Sequence, residues 1–402
     1  RLLILFISQK AQDISPSPTL DVDAKAKRMQ KEGYDIIGFG AGEPDFDTPE
    51  YIKSAAISAI NQGFTKYTPV GGIKELKTAI ANYLESETGI SYTPNQITVS
   101  NGAKQCLYNA LYCLIDPEDK VLIPSPYWVS YPEMVKLCGG TPVFVPTTEN
   151  DGFILKADTL KKYIDKKTKI LIINSPNNPC GSVYSKQDLE QIAKLAIENN
   201  IFVISDEIYE KLIYDCMEHV SIVSYENMIE SSLLINGLSK TFAMTGWRIG
   251  FAAGPKQLIE AMENFQSHST SNPNSIAQRA SVEALTNFTK NETIEKMVNE
   301  FSERRKYMVE QINKIKYLSC RLPIGAFYIF MNISGTFNKQ CDGRTINNST
   351  DFAEILLEKF KVAVVPGIAF GADDYVRLSY ATSMENINKG LDRIEKFIEI
   401  LK

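Results

Sequence analysis

LLINGLSKTFAMTGWRIG, residues 233–250, opens as an apolar run, Leu233 to Ile235, and breaks at Asn236-Gly237 before delivering Ser239-Lys240. A short apolar run bounded by turn residues reads as a buried strand, and the Thr245-Gly246 pair beyond it discourages a helix. Lys240 therefore falls just past a strand's end, the edge at which open α/β sheets gather their chemistry. Further on, Arg248 offers a fixed cation suited to a phosphate. Earlier in the chain, Asp206 closes a second apolar run, Ile201 to Ile204.

A lone lysine after a strand is ordinarily a solvated surface residue, so the weight rests on the combination. An amine, a carboxylate and a guanidinium at neighbouring strand ends suit pyridoxal phosphate. That cofactor needs an amine for its Schiff base, an anion beside the ring nitrogen and a cation on the phosphate.

Composition sets the frame. The 402 residues are 44% hydrophobic and 23% charged with a net charge of −5, an ordinary globular balance that implies two or three domains. Lysines and arginines are interspersed with acids, and the Lys161-Lys162 and Lys166-Lys167 pairs read as a solvated helix face, so no nucleic-acid partner is expected. The 7 cysteines are odd in number and form no C-x-x-C pair, which argues against a disulfide framework and a zinc site and for a reducing, cytoplasmic compartment. The 2 histidines, His219 and His268, fall in no metal-spaced cluster; no metal is expected and their role reads as structural. The apolar run Leu2 to Ile7 is too short to span a bilayer, and no other stretch approaches that length, so no membrane association is expected.

Taken in order, a helix is expected over Leu20 to Gln30. The loop Gly38-Phe-Gly-Ala-Gly-Glu-Pro-Asp superficially matches a dinucleotide fingerprint, but Glu43 replaces its third glycine and Pro44 stands where a helix should open. Thr48 is expected to cap a helix whose apolar face is Ile52, Ala55, Ala56, Ala59 and Ile60. The following loop, Lys66-Tyr-Thr-Pro-Val-Gly-Gly, presents Tyr67. Ile73 to Leu84 is amphipathic and closed by Gly89. At Ile97-Thr-Val-Ser-Asn-Gly-Ala-Lys-Gln a short strand turns into a helix, whose N-terminus at Gly102, Ala103 and Lys104 makes a phosphate cup. Strands at Val121 to Ile123, Pro142 to Val145, Ile170 to Ile173 and Ile201 alternate with helices, including one capped by Ser185. Such alternation means a largely parallel sheet covered on both faces. Beyond Pro255 the pattern turns helical to about Lys316, and strands return at Gly325 to Asn332, Val362 to Val365 and Val376 to Tyr380. The expected division is an N-terminal segment of a smaller domain, 1–45, a large cofactor-binding domain, 46–300, and the rest of the smaller domain, 301–402.

Four separated motifs, Asn174-Ser-Pro-Asn-Asn-Pro-Cys-Gly, Ser205-Asp-Glu-Ile-Tyr, Ser239-Lys-Thr-Phe-Ala-Met-Thr-Gly-Trp-Arg-Ile-Gly and Val376-Arg-Leu-Ser-Tyr, occur in this order. With them the chain resembles the class I aminotransferases of pyridoxal-phosphate fold type I, most closely the bacterial-type aspartate aminotransferases, from about Ser15 to the C terminus. The resemblance implies a mostly parallel central sheet flanked by helices, with a smaller α+β domain formed by both chain ends. It also implies transfer of an amino group between an L-amino acid, aspartate or glutamate, and a 2-oxo acid, 2-oxoglutarate or oxaloacetate.

Carried over residue by residue, it makes Lys240 the Schiff-base lysine and Asp206 the partner of the ring nitrogen. Asn178 and Tyr209 would bond the phenolic oxygen, and Trp128 would cover the ring. Gly102, Ala103, Lys104 and Arg248 would hold the phosphate, with Tyr67 arriving from the second subunit of a homodimer. Arg377 would grip the substrate's α-carboxylate beside Gly42, with Asn178 and Trp128 close by. Lys104, with a hydroxyl from Ser17-Pro-Thr19, would reach the distal carboxylate; Thr19 is the residue expected there. Two positions depart from the usual pattern: Cys180 stands where threonine is common, and Gly237 where some relatives carry a phosphate-binding serine. The competing readings are a pyridoxal-phosphate lyase on the same fold, a transaminase preferring aromatic or small apolar donors, a nicotinamide-dependent oxidoreductase disfavoured by the broken glycine fingerprint, and a non-enzymatic regulator that would not need these residues.

Overall fold

The computed structural model describes residues 6–288 and 292–402, so most of the run that starts at Leu2 lies outside the described residues. The first strand, β1 (Ile37–Gly38), stands apart from the main sheet. That sheet comprises β2 (Ile97–Ser100), β3 (Lys120–Ser125), β4 (Thr141–Pro146), β5 (Thr168–Asn174), β6 (Phe202–Asp206), β7 (Ser232–Gly237) and β8 (Gly250–Ala253). Their order across the sheet is β2-β8-β7-β6-β5-β3-β4. β8 runs antiparallel to both neighbours, and the pairings among β3 to β7 are parallel. Sequence reading places no strand at β8, because Gly250-Phe-Ala-Ala, closing the Lys240 motif, has no β-branched residue to mark it.

Alternation along β5 shows why the sheet is covered twice. Ile170 and Ile172 pack with Leu107, Leu111 and Ile259, from helices Ala103–Leu114 and Lys256–Ser267. Leu171 and Ile173 point the other way and pack with Leu189 and Ile192 of helix Lys186–Glu198. Both faces being apolar, the strand reads as one continuous hydrophobic run. Each such side chain contributes roughly 1.5–3 kcal/mol by leaving water. Helix Lys186–Glu198 starts as expected: Ser185 Oγ accepts from the Asp188 N–H and donates to Asp188 Oδ2 at 2.6 Å.

Thr48 does not cap its helix. Pro49 takes the N-cap of Glu50–Asn61, while Thr48 Oγ1 donates to the Ala243 carbonyl at 2.7 Å and accepts from Trp247 Nε1 at 3.0 Å. The hydroxyl finds better partners across the molecule than in its own backbone. On that helix Ile52, Ala56 and Ala59 are buried, whereas Ile60, one position past this stripe, is 52% exposed. Lys166 and Lys167 are exposed on a turn and not on a helix.

Beyond helices Ser275–Thr286 and Glu292–Ile312 come β9 (Ser319–Cys320), β10 (Tyr328–Asn332), the small pair β11 (Gln340–Cys341) and β12 (Arg344–Thr345), then β13 (Val362–Ala363), β14 (Val365–Pro366) and β15 (Tyr375–Ser379). The single strand expected over Val362 to Val365 is two strands in different sheets: β13 pairs in parallel with β1, and β14 joins the antiparallel sheet β14-β15-β10-β9. Helix Glu292–Ile312 runs across residue 300, where a boundary was expected, and packs on Met384–Glu399, β9 and β10.

Candidate active site

The ends of β2, β5, β6 and β7 and the start of β8 meet on one edge of the main sheet. There Asn174 is in register with Asp206, and Asp206 with Ile235. Over this edge lie the 40–43 loop, β10 and β15, enclosing a cleft of about 580 Å³ that Asp206, Lys240, Arg248, Tyr328 and Arg377 all line.

Asp206 is 4% exposed. Tyr131 Oη donates to its Oδ2 at 2.7 Å and the Ile208 N–H to its Oδ1 at 3.3 Å. Burial pushes its carboxyl up to about 6, against the pull of those two donors. A cationic ring nitrogen beside it would restore the ionised form. Lys240 Nζ donates to the Gly42 carbonyl and lies 5.8 Å from the Tyr209 ring centroid. Burial lowers its amine to about 8; Arg377 and Arg248 push the same way, while Glu43 and Asp206 oppose them. An amine that loses its proton this readily is a competent nucleophile and base near neutral pH.

Gly102 heads helix Ala103–Leu114 with φ +86°, and a Cβ there would fall 2.4 Å from Arg248 Nη2. Only glycine lets the guanidinium approach the positive helix end, which makes a cradle for a phosphate. Arg248 is braced by donating from Nη1 to the Thr245 carbonyl at 3.0 Å and from Nη2 to the Asn101 carbonyl at 3.2 Å. The glycine at 237 also has a physical reason: a Cβ would meet the Ile249 carbonyl at 2.9 Å, because β7 and β8 pair tightly there.

Arg377, on β15, is 1% exposed. Its Nη1 donates to Asn178 Oδ1 at 3.0 Å and its Nη2 to the Gly40 carbonyl at 2.9 Å, while Nε has no partner. A buried guanidinium with a spare donor fits a carboxylate, since a cation left uncompensated in the interior is costly. Lys104 is exposed as a residue, but its Nζ lies 4.8 Å from the Trp128 ring centroid, and this partial covering of the amine, with Arg248, lowers it below the usual lysine value. Thr19, Ser17, Ala103, Gly42, Asn178 and Tyr209 also line the cleft. Tyr67 does not: it is 92% exposed and lines a separate depression with Lys66 and residues 270–275.

Sequence reasoning missed Tyr131, Tyr328 and Glu43, which accepts from Thr245 Oγ1 at 2.8 Å. Tyr131 was findable, one helical turn after Trp128 and edge-on to it at 5.3 Å. Tyr328 carries no signal that separates it from a core aromatic. His219 is less isolated than its spacing implied: partly buried itself, it joins the buried Glu207 and Glu210 in a group whose ligand atoms lie within 4.8 Å of one another. All seven cysteines are free, and among the described residues no helix is long and apolar enough to cross a membrane.

Residues 34–394 match the family described as Aminotransferase class I and II. The chain is 44% identical over 394 residues to the aspartate aminotransferase of Bacillus subtilis, covering 98% of this chain and 99% of that one. It is 47% identical over 398 residues to a probable aspartate/prephenate aminotransferase of Rickettsia conorii, at 98% and 99% coverage. Among solved structures, the Thermus thermophilus aspartate aminotransferase with maleate superposes with a TM-score of 0.93 at 44% identity, over 98% of this chain and all of the other, 100%.

Proposed function

Since the chain belongs to the class I and II aminotransferase family, with that family's fold and its pyridoxal 5'-phosphate, we propose that it moves the amino group of aspartate or glutamate to a 2-oxo acid, 2-oxoglutarate or oxaloacetate. The observation that carries the substrate class is Arg377, buried to 1% in the Lys240 cleft with a donor to spare. When bound, the cofactor supplies an electron sink for the pair left behind as the substrate's Cα loses its proton.

The chain's own residues do the rest. Asp206 would hold the proton on the ring nitrogen, and Tyr131 keeps that carboxylate oriented. Asn178 and Tyr209 would bond the phenolic oxygen, and Trp128 would cover the ring. Gly102, Ala103 and Arg248 would cradle the phosphate. Lys240, its amine lowered to about 8, would serve as the base that takes the substrate's Cα proton. Arg377 presents its planar fork to the α-carboxylate beside Gly42. Lys104, with Thr19, pairs the second carboxylate of a dicarboxylic donor; the maleate of the Thermus structure is itself a dicarboxylate. The exposure of Tyr67 supports a homodimer in which it completes the partner's phosphate site. Seven free thiols support a reducing, cytoplasmic setting.

Borohydride reduction of the holoenzyme followed by peptide mapping tests the site. The label is expected on Lys240, in protein that converts aspartate and 2-oxoglutarate to oxaloacetate and glutamate. A label recovered on Lys104 or elsewhere refutes the assignment.

A further inference from the structure

Tyr328 touches two of the groups on which this reaction depends. It is fully buried on β10, where Tyr328 faces Ser379 and Phe330 faces Arg377 across the pair. The diagonal places its ring against the arginine, a reach open to long and aromatic side chains. The Arg377 guanidinium carbon lies 4.3 Å from the Tyr328 ring centroid and 5.1 Å from that of Phe370. The hydroxyl of Tyr328 is 2.9 Å from that of Tyr209. It also lies under the substrate loop, 3.6 Å from where a Cβ on Gly42 would stand.

We infer that Tyr328 is a positioning residue that acts through both neighbours: its hydroxyl donates to Tyr209, and its ring holds the Arg377 guanidinium flat for the carboxylate. The inference rests on the function proposed above. Geometry alone leaves the direction of the Tyr209 to Tyr328 hydrogen bond open, but the proton count settles it. A phenol has one proton. If Tyr209 spends its own on the cofactor's phenolic oxygen, the bond between the two tyrosines needs the proton of Tyr328. Two hydrogen bonds in series polarise each other, so Tyr209 becomes the stronger donor and the phenolic oxygen holds its negative charge more easily. Burial pushes the Tyr328 phenol up, against the pull of Arg377 and Tyr209, which keeps the hydroxyl protonated. The ring adds a second effect. Nη1 and Nη2 are held at their ends by Asn178 and Gly40, and the two aromatic faces fix the plane in which the spare Nε–H lies.

The test separates the two effects. Tyr328→Phe removes only the hydroxyl, and Tyr328→Leu removes the ring as well. Two quantities are read on the holoenzyme: the pH midpoint of the cofactor's visible absorbance, and the dissociation constant of maleate. Tyr328→Phe should raise the midpoint by about 0.5 pH unit, a threefold change in the proton equilibrium, and leave maleate binding within about twofold. Tyr328→Leu should raise the midpoint similarly and weaken maleate at least about tenfold. Adding Tyr328→Phe to Tyr209→Phe should produce no further shift in the midpoint. A wild-type midpoint in Tyr328→Phe, or additive shifts in the double variant, overturns the hydroxyl's role. Unchanged maleate binding in Tyr328→Leu overturns the ring's. Wild-type protein that takes up no cofactor overturns the proposed function itself, and this inference with it.

Discussion

Replacing Lys104 by methionine removes one positive charge from the cleft while keeping a long side chain against Trp128, from whose ring centroid the ammonium lies 4.8 Å. Two opposite unit charges about 4 Å apart attract by ~1 kcal/mol in water and ~4 kcal/mol at an effective dielectric near 20. Lys104 is exposed at the cleft mouth, which puts the loss toward the low end, about 1.4 kcal/mol or roughly a factor of ten. Lys104→Met should therefore raise the Michaelis constants of aspartate and glutamate by about tenfold. Alanine and phenylalanine, which have no second carboxylate, should turn over nearly as before. The difference should shrink as salt is added, since an exposed pair is screened within ~10 Å at 0.1 M. It should also shrink in alkali, because burial and Arg248 hold the lysine amine below its ordinary value and its charge is lost earlier as pH rises. Steady-state kinetics with the four donors at two ionic strengths decide the matter. An equal loss for every donor would place Lys104 on the cofactor, and no loss for any would show that the distal carboxylate is paired elsewhere.

Behind Asp206 the fully buried Glu207 is bonded to His219 Nε2 at 2.7 Å, Ser205 Oγ at 2.7 Å and Ser221 Oγ at 2.6 Å. Burial lowers the His219 pKa, but Glu207 and Glu210 outweigh it and leave it raised. Its contribution is thus complete below the unfolded value of about 6.5 and fades as pH climbs through the folded one. His219→Gln should cost the apoprotein about 1.5–3 kcal/mol at pH 6 and clearly less at pH 9 by urea denaturation; a pH-independent difference contradicts the pairing. If the proposed homodimer shares its sites, Tyr67→Ala and Arg248→Ala subunits, each inactive alone, should recover activity when mixed, because some heterodimers regain one unimpaired site. Heterodimers that form and stay inactive would rule out a Tyr67 contribution across the interface.

What the sequence exposed and what it hid follow from where each interaction is made. Lys240, Asp206 and the Gly102 turn are legible because strand ends and helix starts leave marks within a few residues. Arg377 is legible as a residue of β15, and its expected grip on a carboxylate only through the family resemblance, since its braces, Gly40 and Asn178, come from distant parts of the chain. The same distance hid Thr48, whose partners lie near Ala243, and gathered His219 with Glu207 and Glu210 across a turn no ligand spacing marks. β8 escaped because Gly250-Phe-Ala-Ala opens on a glycine and has no β-branched residue, and the split at Val364 because two adjacent two-residue strands look like one.

The pairing of β1 with β13 joins residues more than three hundred positions apart. On a ribosome, Ile37 and Gly38 are out long before Val362 and Ala363 exist, so the segment that carries Gly40 to Glu43 has no strand to dock against until more than three hundred further residues have been made. The main sheet faces no such delay: β2 through β8 span residues 97–253 and close largely through neighbouring crossovers, the contacts that form fastest. The half of the cleft holding Asp206, Lys240 and Arg248 can thus be built early in synthesis, while the half holding Arg377 and Gly42 waits for the strands from Val362 to Ser379. A nascent chain would gain its cofactor pocket before it gained any grip on a substrate.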